Sequence, residues 1–223
     1  MSRSPSFAGV ILSAGESSRM GTDKALLSWP PRAAEQTHSS QTPSSRAPSN
    51  QTFLSAAIRS FALSTDFVVV VAGKNQAVVA PVAYAAGASV VVNPDPDRGQ
   101  FSSLQAGLHE VLNRGRDAAM ITLVDHPPVG RDTIQRLREA FESAAPNIWA
   151  VVPEFSGKHG HPYLVGRELI EVFLQASPST IARDLEHSYQ EHIQYVTVDD
   201  PFVALNINTP DEYAALIAIA KTS

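Results

Sequence analysis

Short runs of apolar, mostly β-branched residues recur along the chain, and the pattern between them shifts to a helical period. AGVIL (8–12), FVVVVA (67–72), ASVVV (88–92), AAMITLV (118–124), WAVVP (149–153) and IQYVTV (193–198) each read as a strand. The second, third and fourth are continuously apolar and do not alternate, which predicts parallel strands buried on both faces. Helical patterns separate these runs over 53–63, 75–86, 103–114, 131–144, 167–175 and 211–221. Strand and helix in alternation predict an α/β fold: a doubly wound, mostly parallel, Rossmann-like sheet with right-handed crossovers, flanked by helices.

One segment breaks the rhythm. PPRAAEQTHSSQTPSSRAPSNQ (30–51) holds no Val, Ile, Leu or aromatic residue. Such a stretch buries too little apolar surface to offset the entropy of ordering. It predicts a flexible surface insertion within one domain spanning 1–223. A functional lid and a merely tolerated insertion both fit its composition.

Composition then removes several classes of function. The 223 residues are 43% hydrophobic and 17% charged, with a net charge of -5, so nothing draws the chain as a whole to nucleic acid or anionic membrane. Any basic site must be local. With no cysteine there is neither a disulfide framework nor thiolate chemistry. No window approaches the roughly 20 apolar residues that cross a bilayer, and the first apolar run leads straight into a glycine turn, as a strand does. The expectation is a soluble, cytoplasmic protein with no membrane or nucleic-acid partner.

The candidate chemistry begins where the first strand ends. In LSAGESSRMGTDKALL (12–27), apolar residues give way to small ones, then to Arg19 and Lys24. In open α/β sheets, ligands bind at the carboxyl ends of strands. Small residues such as Ala14, Gly15 and Ser17 leave backbone N–H groups open to phosphate oxygens. The spacing is neither the Walker pattern nor G-x-G-x-x-G. On the residues alone, a structural turn with incidental cations remains an alternative.

This stretch resembles the signature L-A-A-G-x-S-x-R-M-G-x-x-K-x-L-L of MobA-like nucleotidyltransferases, especially molybdenum cofactor cytidylyltransferases. Gly15, Ser17, Arg19, Met20, Gly21, Lys24, Leu26 and Leu27 fall in register, and Ser13 replaces the usual Ala. Further segments are similar to the family in order: NPDPDRGQFSSLQAGL (93–108), ITLVDHPPV (121–129), GKHGHPYLV (157–165) and VDDPFVALNINTPDEY (198–213). The resemblance implies a fold of the nucleotide-diphospho-sugar transferase type. It implies nucleotide contacts at Leu12, Ser13, Ala14, Gly15, Ser17, Gly73, Gly99 and Ser103, with Gly107 packing the helix that follows.

Asp125 leaves the end of an apolar strand between candidate elements, and the next helix starts only near Arg131, so it is not needed as a cap. A carboxylate there is a hard oxygen ligand suited to Mg2+, and the resemblance supplies most of the weight for that role over a turn residue. His161 and Pro162 match the segment that shapes the acceptor side. His161 reads either as a substrate contact or as a residue orienting its own loop. The family's aspartates are replaced by Asn206 and Asn208, oxygen ligands without charge. Read locally, GQFSSL predicts a helix start capped by Ser, and Thr209–Pro210 predicts an N-cap followed by Pro at the first helical position.

The function implied is transfer of CMP from CTP to the phosphate of molybdopterin, releasing pyrophosphate. Arg19, Lys24 and Asp125 would be catalytic, and Mg2+ would be held by Asp125, Asn206 and Asn208. An apo-molybdoenzyme would receive the product. Ala14 stands where the guanylyl branch has Gly, which points to the smaller pyrimidine. Three alternatives stay open: another phosphorylated acceptor such as a sugar phosphate, methylerythritol phosphate or phospholactate; GTP-dependent guanylyl transfer; and a non-catalytic cofactor chaperone, which the two asparagines favour.

Overall fold

The computed structural model describes residues 5–15, 17, 20–30 and 51–219. Arg19 and positions 31–50 of the insertion lie outside the described residues. Strand β1 (Phe7–Ser13) opens the fold. The two-residue strands β2 (Ser28–Trp29) and β3 (Gln51–Thr52) pair antiparallel and bring the ends of the insertion together. Helix α1 (Phe53–Ala62) follows, then β4 (Phe67–Ala72), α2 (Gln76–Ala85), β5 (Ser89–Val92), α3 (Gln100–Asn113), β6 (Ala118–Leu123) and α4 (Arg131–Glu142). The second half runs β7 (Ala150–Phe155), β8 (Lys158–His159), β9 (Tyr163–Gly166), α5 (Arg167–Gln175), α6 (Ala182–Ser188), β10 (Ile193–Thr197) and α7 (Pro210–Ile219).

The main sheet has the order β10-β7-β9-β6-β1-β4-β5, with β8 paired to β7 outside this path. β1 pairs in parallel with β4 and β6, as do β4 with β5 and β10 with β7. β9 runs antiparallel between β6 and β7. The fold is therefore the mostly parallel, helix-flanked α/β sheet expected. The antiparallel β9 was not foreseen, because GKHGHPYLV reads as a motif loop. Helix α6 and the short strands β2, β3 and β8 were not foreseen either.

Two cores explain why the central strands do not alternate. Val68 and Val70 of β4 enter one core with Phe7, Ile11, Ile58, Met120 and Leu137. Val69 and Val71 enter the opposite core with Val10, Leu108, Ile121 and Phe173. Each face of the sheet is covered, so every second residue still needs an apolar partner. Each fully buried Val, Ile or Leu stabilises the fold by about 1.5–3 kcal/mol. β5 departs from the expectation: it is the edge strand, and its residues are half-buried or exposed. A run of valines cannot by itself distinguish an edge from a center. α3 packs close against the sheet because Gly107 faces Val10 and Val71, where a Cβ would lie 2.7 and 2.9 Å from their methyl groups.

α3 also starts earlier than the sequence suggests. Its N-cap is Gly99, without a side-chain cap bond. The serines are engaged elsewhere: the buried Asn93 amide donates to Ser102 Oγ at 2.8 Å and to Ser103 Oγ at 2.9 Å. At Gly99 φ is 101°, a conformation that only glycine adopts without strain. α7 begins as expected. The Glu212 N–H donates to Thr209 Oγ1, and the Glu212 carboxylate accepts from Thr209 N, closing a capping box ahead of Pro210.

Candidate active site

Three strand ends and one helix start converge at the carboxyl edge of the sheet. A cavity of about 220 Å³ there is lined by Leu12, Ala14, Gly15, Ser17, Lys24, Pro96, Gly99, Gln100, Ser103, Leu123, Val124 and Asp125. It gathers eight of the residues singled out from sequence, drawn from three separate stretches. Ser13 and Gly73 stand just behind it. Ser13 is buried and its carbonyl accepts from the Asn75 amide at 2.8 Å. Gly73 backs Ala14 so closely that a Cβ would lie 2.7 Å from the Ala14 carbonyl oxygen.

The loop after β1 is held by residues that carried no weight in the sequence. Asn75 Nδ2 donates to Asp23 Oδ2 at 2.7 Å, while Asp23 Oδ1 accepts from Ala25 N and caps the short turn containing Lys24. Ser17 adopts φ 51°, and its hydroxyl accepts from Lys24 N at 3.1 Å. Lys24 thereby enters a half-enclosed position. Its ammonium donates to Asn208 Oδ1 at 2.8 Å and to Asp125 Oδ2 at 3.2 Å. Residues about 100 and 180 positions apart thus meet at one cation.

Asp125 follows β6 and caps no helix, since α4 begins at Arg131. Its carbonyl accepts from Ile207 N at 2.7 Å, which fixes the segment carrying Asn208 beside it. Asp125 Oδ1 is buried and has no hydrogen-bond partner among the described residues. A buried carboxylate oxygen without a donor costs free energy unless a ligand or cation satisfies it. With the Asn208 oxygen close by, the donor set fits a hard divalent cation. Asn206, by contrast, is exposed and makes no hydrogen bond to Asp125 or Lys24. Among the described residues no group of three His, Cys, Asp or Glu could hold a metal ion.

His161 lies beyond this cavity. Its ring sits 4.2 Å from that of His126 and 5.2 Å from that of Tyr163, centroid to centroid. Gly160 permits the approach: the Gly160 N–H reaches the Pro153 carbonyl, the His161 N–H reaches the Val203 carbonyl at 2.9 Å, and a Cβ at Gly160 would overlap the Val203 carbonyl oxygen. The His161–Pro162 peptide is cis. Burial, and then the His126 charge, hold the His161 imidazole well below its ordinary value. Burial also lowers His126, against the opposing pull of Asp125 and a backbone hydrogen bond to Leu205. His126 has no counterpart in the sequence reading, although it directly follows Asp125. Pro96, Gln100, Leu123 and Val124 were likewise not singled out; only their placement beside quoted motifs could have marked them.

No helix among the described residues is long and apolar enough to cross a membrane. The model of the MobA-like NTP transferase domain family matches residues 9–196. A comparison with curated proteins gave no match. Among solved structures, Rv0371c of Mycobacterium tuberculosis H37Rv superposes with a TM-score of 0.73 at 23% identity, over 96% of this chain and 98% of that one. The same protein in complex with manganese gives 0.68 at 21% identity, over 96% and 98%. Molybdopterin-guanine dinucleotide biosynthesis protein A from Archaeoglobus fulgidus gives 0.64 at 15% identity, over 97% and 100%. At such identities the likeness concerns the fold.

Proposed function

The chain belongs to the MobA-like NTP transferase family, and on that premise we propose that it is a metal-dependent nucleotidyltransferase that moves CMP from CTP onto the phosphate of a molybdopterin-type acceptor. The observation that carries this reading is the cavity at the sheet edge, where the small-residue loop, Gly99, Ser103, Lys24 and Asp125 face one space.

In the reaction an oxygen of the acceptor's phosphate attacks the α-phosphorus of the nucleotide. The bond from that phosphorus to the oxygen bridging the β-phosphate breaks, and pyrophosphate leaves with the electron pair. An ionised phosphate needs no general base, so positioning and charge stabilisation carry the catalysis. The exposed backbone of Ala14 and Gly15 cradles the triphosphate, and Gly99 leaves room at the start of α3. Lys24 brings positive charge to the leaving pyrophosphate, and Arg19 has the same role by its place in the loop. Asp125 and Asn208 would hold Mg2+, which when bound neutralises phosphate charge. The manganese complex of the Mycobacterium tuberculosis neighbour supports a divalent cation in this fold. With only Asp125 charged, the site leans on the nucleotide's own phosphates for the remaining charge and ligands. Ala14, fixed against Gly73, narrows the cavity in favour of a pyrimidine.

The test follows the phosphorus. With CTP labelled at the α-phosphate, molybdopterin and Mg2+, the label should appear in the acceptor product. Label that stays in CTP, despite tight CTP binding, would sink the transferase reading in favour of a carrier.

A further inference from the structure

Helix α4 has Gly130 at its N-cap and so no capping side chain of its own. Asp200, seventy residues further on, takes that place: its Oδ2 accepts from Gly130 N and from Thr133 Oγ1, both at 2.9 Å. Its Oδ1 accepts from Phe202 N at 3.0 Å and starts the short turn Pro201–Ala204. Arg131 and Arg136 border the same surface hollow, but no cation forms an ion pair with Asp200 among the described residues. Neutral donors satisfy this carboxylate.

From Asp200 the chain runs back alongside the loop that joins Asp125 to Gly130, and the two segments are tied at three levels. Asp200 meets Gly130 at the far end. In the middle the His126 ring donates to the Leu205 carbonyl. At the near end Ile207 N donates to the Asp125 carbonyl at 2.7 Å. The next residue, Asn208, shares the Lys24 ammonium with the Asp125 carboxylate. Between the ties the loop carries Pro127 and Pro128, whose rings fix φ and leave no N–H to bond. A shift at Gly130 is therefore carried to Asp125 and not absorbed on the way. The opposite segment is held as firmly: Val203 and Ile207 are buried, and Phe202 packs edge-on against Trp29 with 5.5 Å between ring centroids.

We propose that Asp200 is a positioning residue for the metal ligands: by pinning the far end of these two segments, it sets the separation of Asp125 and Asn208. The assignment rests on the nucleotidyl-transfer reading, in which those two residues hold the cation. Asp200 does not line the nucleotide cavity. Nor does it line the cleft of about 370 Å³ where Val203 and Ala204 sit with His126, His161 and Arg183. It is also absent from a second cleft, of about 510 Å³, that shares Leu12 and Gly99 with the nucleotide cavity. Its influence on the site must pass through the paired segments, as outer partners of metal ligands act on metal affinity.

The test separates metal from nucleotide. Affinity for preformed Mn2+·CTP, and for CTP in EDTA, is measured by calorimetry for the whole chain and its variants. In the unaltered protein the cation should tighten binding. Asp200→Ala should weaken Mn2+·CTP about tenfold, while metal-free CTP stays within about twofold of the parent. Thr133→Val removes one of the three bonds to the carboxylate and should act in the same direction, to a smaller degree. Asp200→Asn keeps an oxygen for Gly130 and should recover most of the loss. Gln135→Gly, at an exposed position of α4, weakens the helix alone and should move neither affinity. If Asp200→Ala does not fold, Thr133→Val carries the same comparison. Metal-dependent binding that both variants leave intact would overturn the positioning role, and so would an equal loss of both affinities. No tightening by Mn2+ in the unaltered protein would instead overturn the metal-dependent transfer reading beneath it.

Discussion

The two ends of the cleft solve opposite problems with the same sheet. At the nucleotide end, bare backbone, Lys24 and Asp125 make a polar site whose charges are paired: the ammonium sits within 3.2 Å of two oxygen ligands that a cation would also seek. At the acceptor end, His126 and His161 each keep a buried Nδ1 without a hydrogen bond among the described residues. The first end pairs its charges directly; the second sets two unpartnered imidazole nitrogens among apolar and charged side chains. A phosphate-handling site gains from fixed charge.

This contrast can be broken at either end. The largest effect belongs to the nucleotide end. Lys24→Met removes the charge and leaves Asp125 without its partner, so kcat should fall about a hundredfold or more. Steady-state turnover with saturating CTP measures it, and a variant within threefold of the parent would remove Lys24 from the mechanism.

The acceptor end predicts a pH signature of smaller size. His161 and His126 have folded values below their unfolded ones. The unfolded chain therefore takes up protons that the folded chain resists. Stability is full above the ordinary imidazole value near 6.5 and falls as pH drops through it. Between pH 7.5 and 5.5 a neutral buried histidine should cost about 1 kcal/mol. Thermal unfolding of the parent should thus lose more stability over that interval than His161→Gln does. Equal losses would mean that His161 takes up its proton freely in the folded chain.

The smallest effect concerns nucleotide choice. Ala14→Gly opens the space that Gly73 leaves beside the loop, and the kcat/KM ratio for CTP over GTP should drop several-fold. An unchanged ratio would place base selection elsewhere.

The two ends also differ in how far the sequence reveals them. The nucleotide end is written in contiguous stretches. AGES and LVDH each stand at a strand end, GTDK follows in the loop after β1, and the apolar periods locate those ends to within a residue or two. The continuous valines of β4 predicted a strand buried on both faces because both cores draw on it in turn. The same pattern misled at β5, where position in the sheet decides exposure and the chain carries no record of it. The acceptor end is assembled from tertiary contacts. β9 inserts antiparallel between β7, which shortly precedes it, and the distant β6, and α6 has too few apolar positions to announce a helix. Arg183 and Glu186 therefore look like ordinary surface residues until α6 brings them to the same cleft as Tyr163. Asn75, Asp23 and Asn93 were silent for a related reason: each supports a loop through hydrogen bonds that have no period. Asn208 was singled out as a candidate ligand, and the structure brings it to Lys24; Asn206 shared the same motif but faces solvent.

The most direct test of the central claim is pyrophosphate release by the purified protein with Mg2+ and molybdopterin, comparing CTP, GTP, ATP and UTP, with Asp125→Ala alongside. The account predicts release that is selective for CTP, depends on the acceptor, and falls by about a thousandfold in the variant. CTP bound without release, or release that Asp125→Ala leaves unchanged, would contradict it.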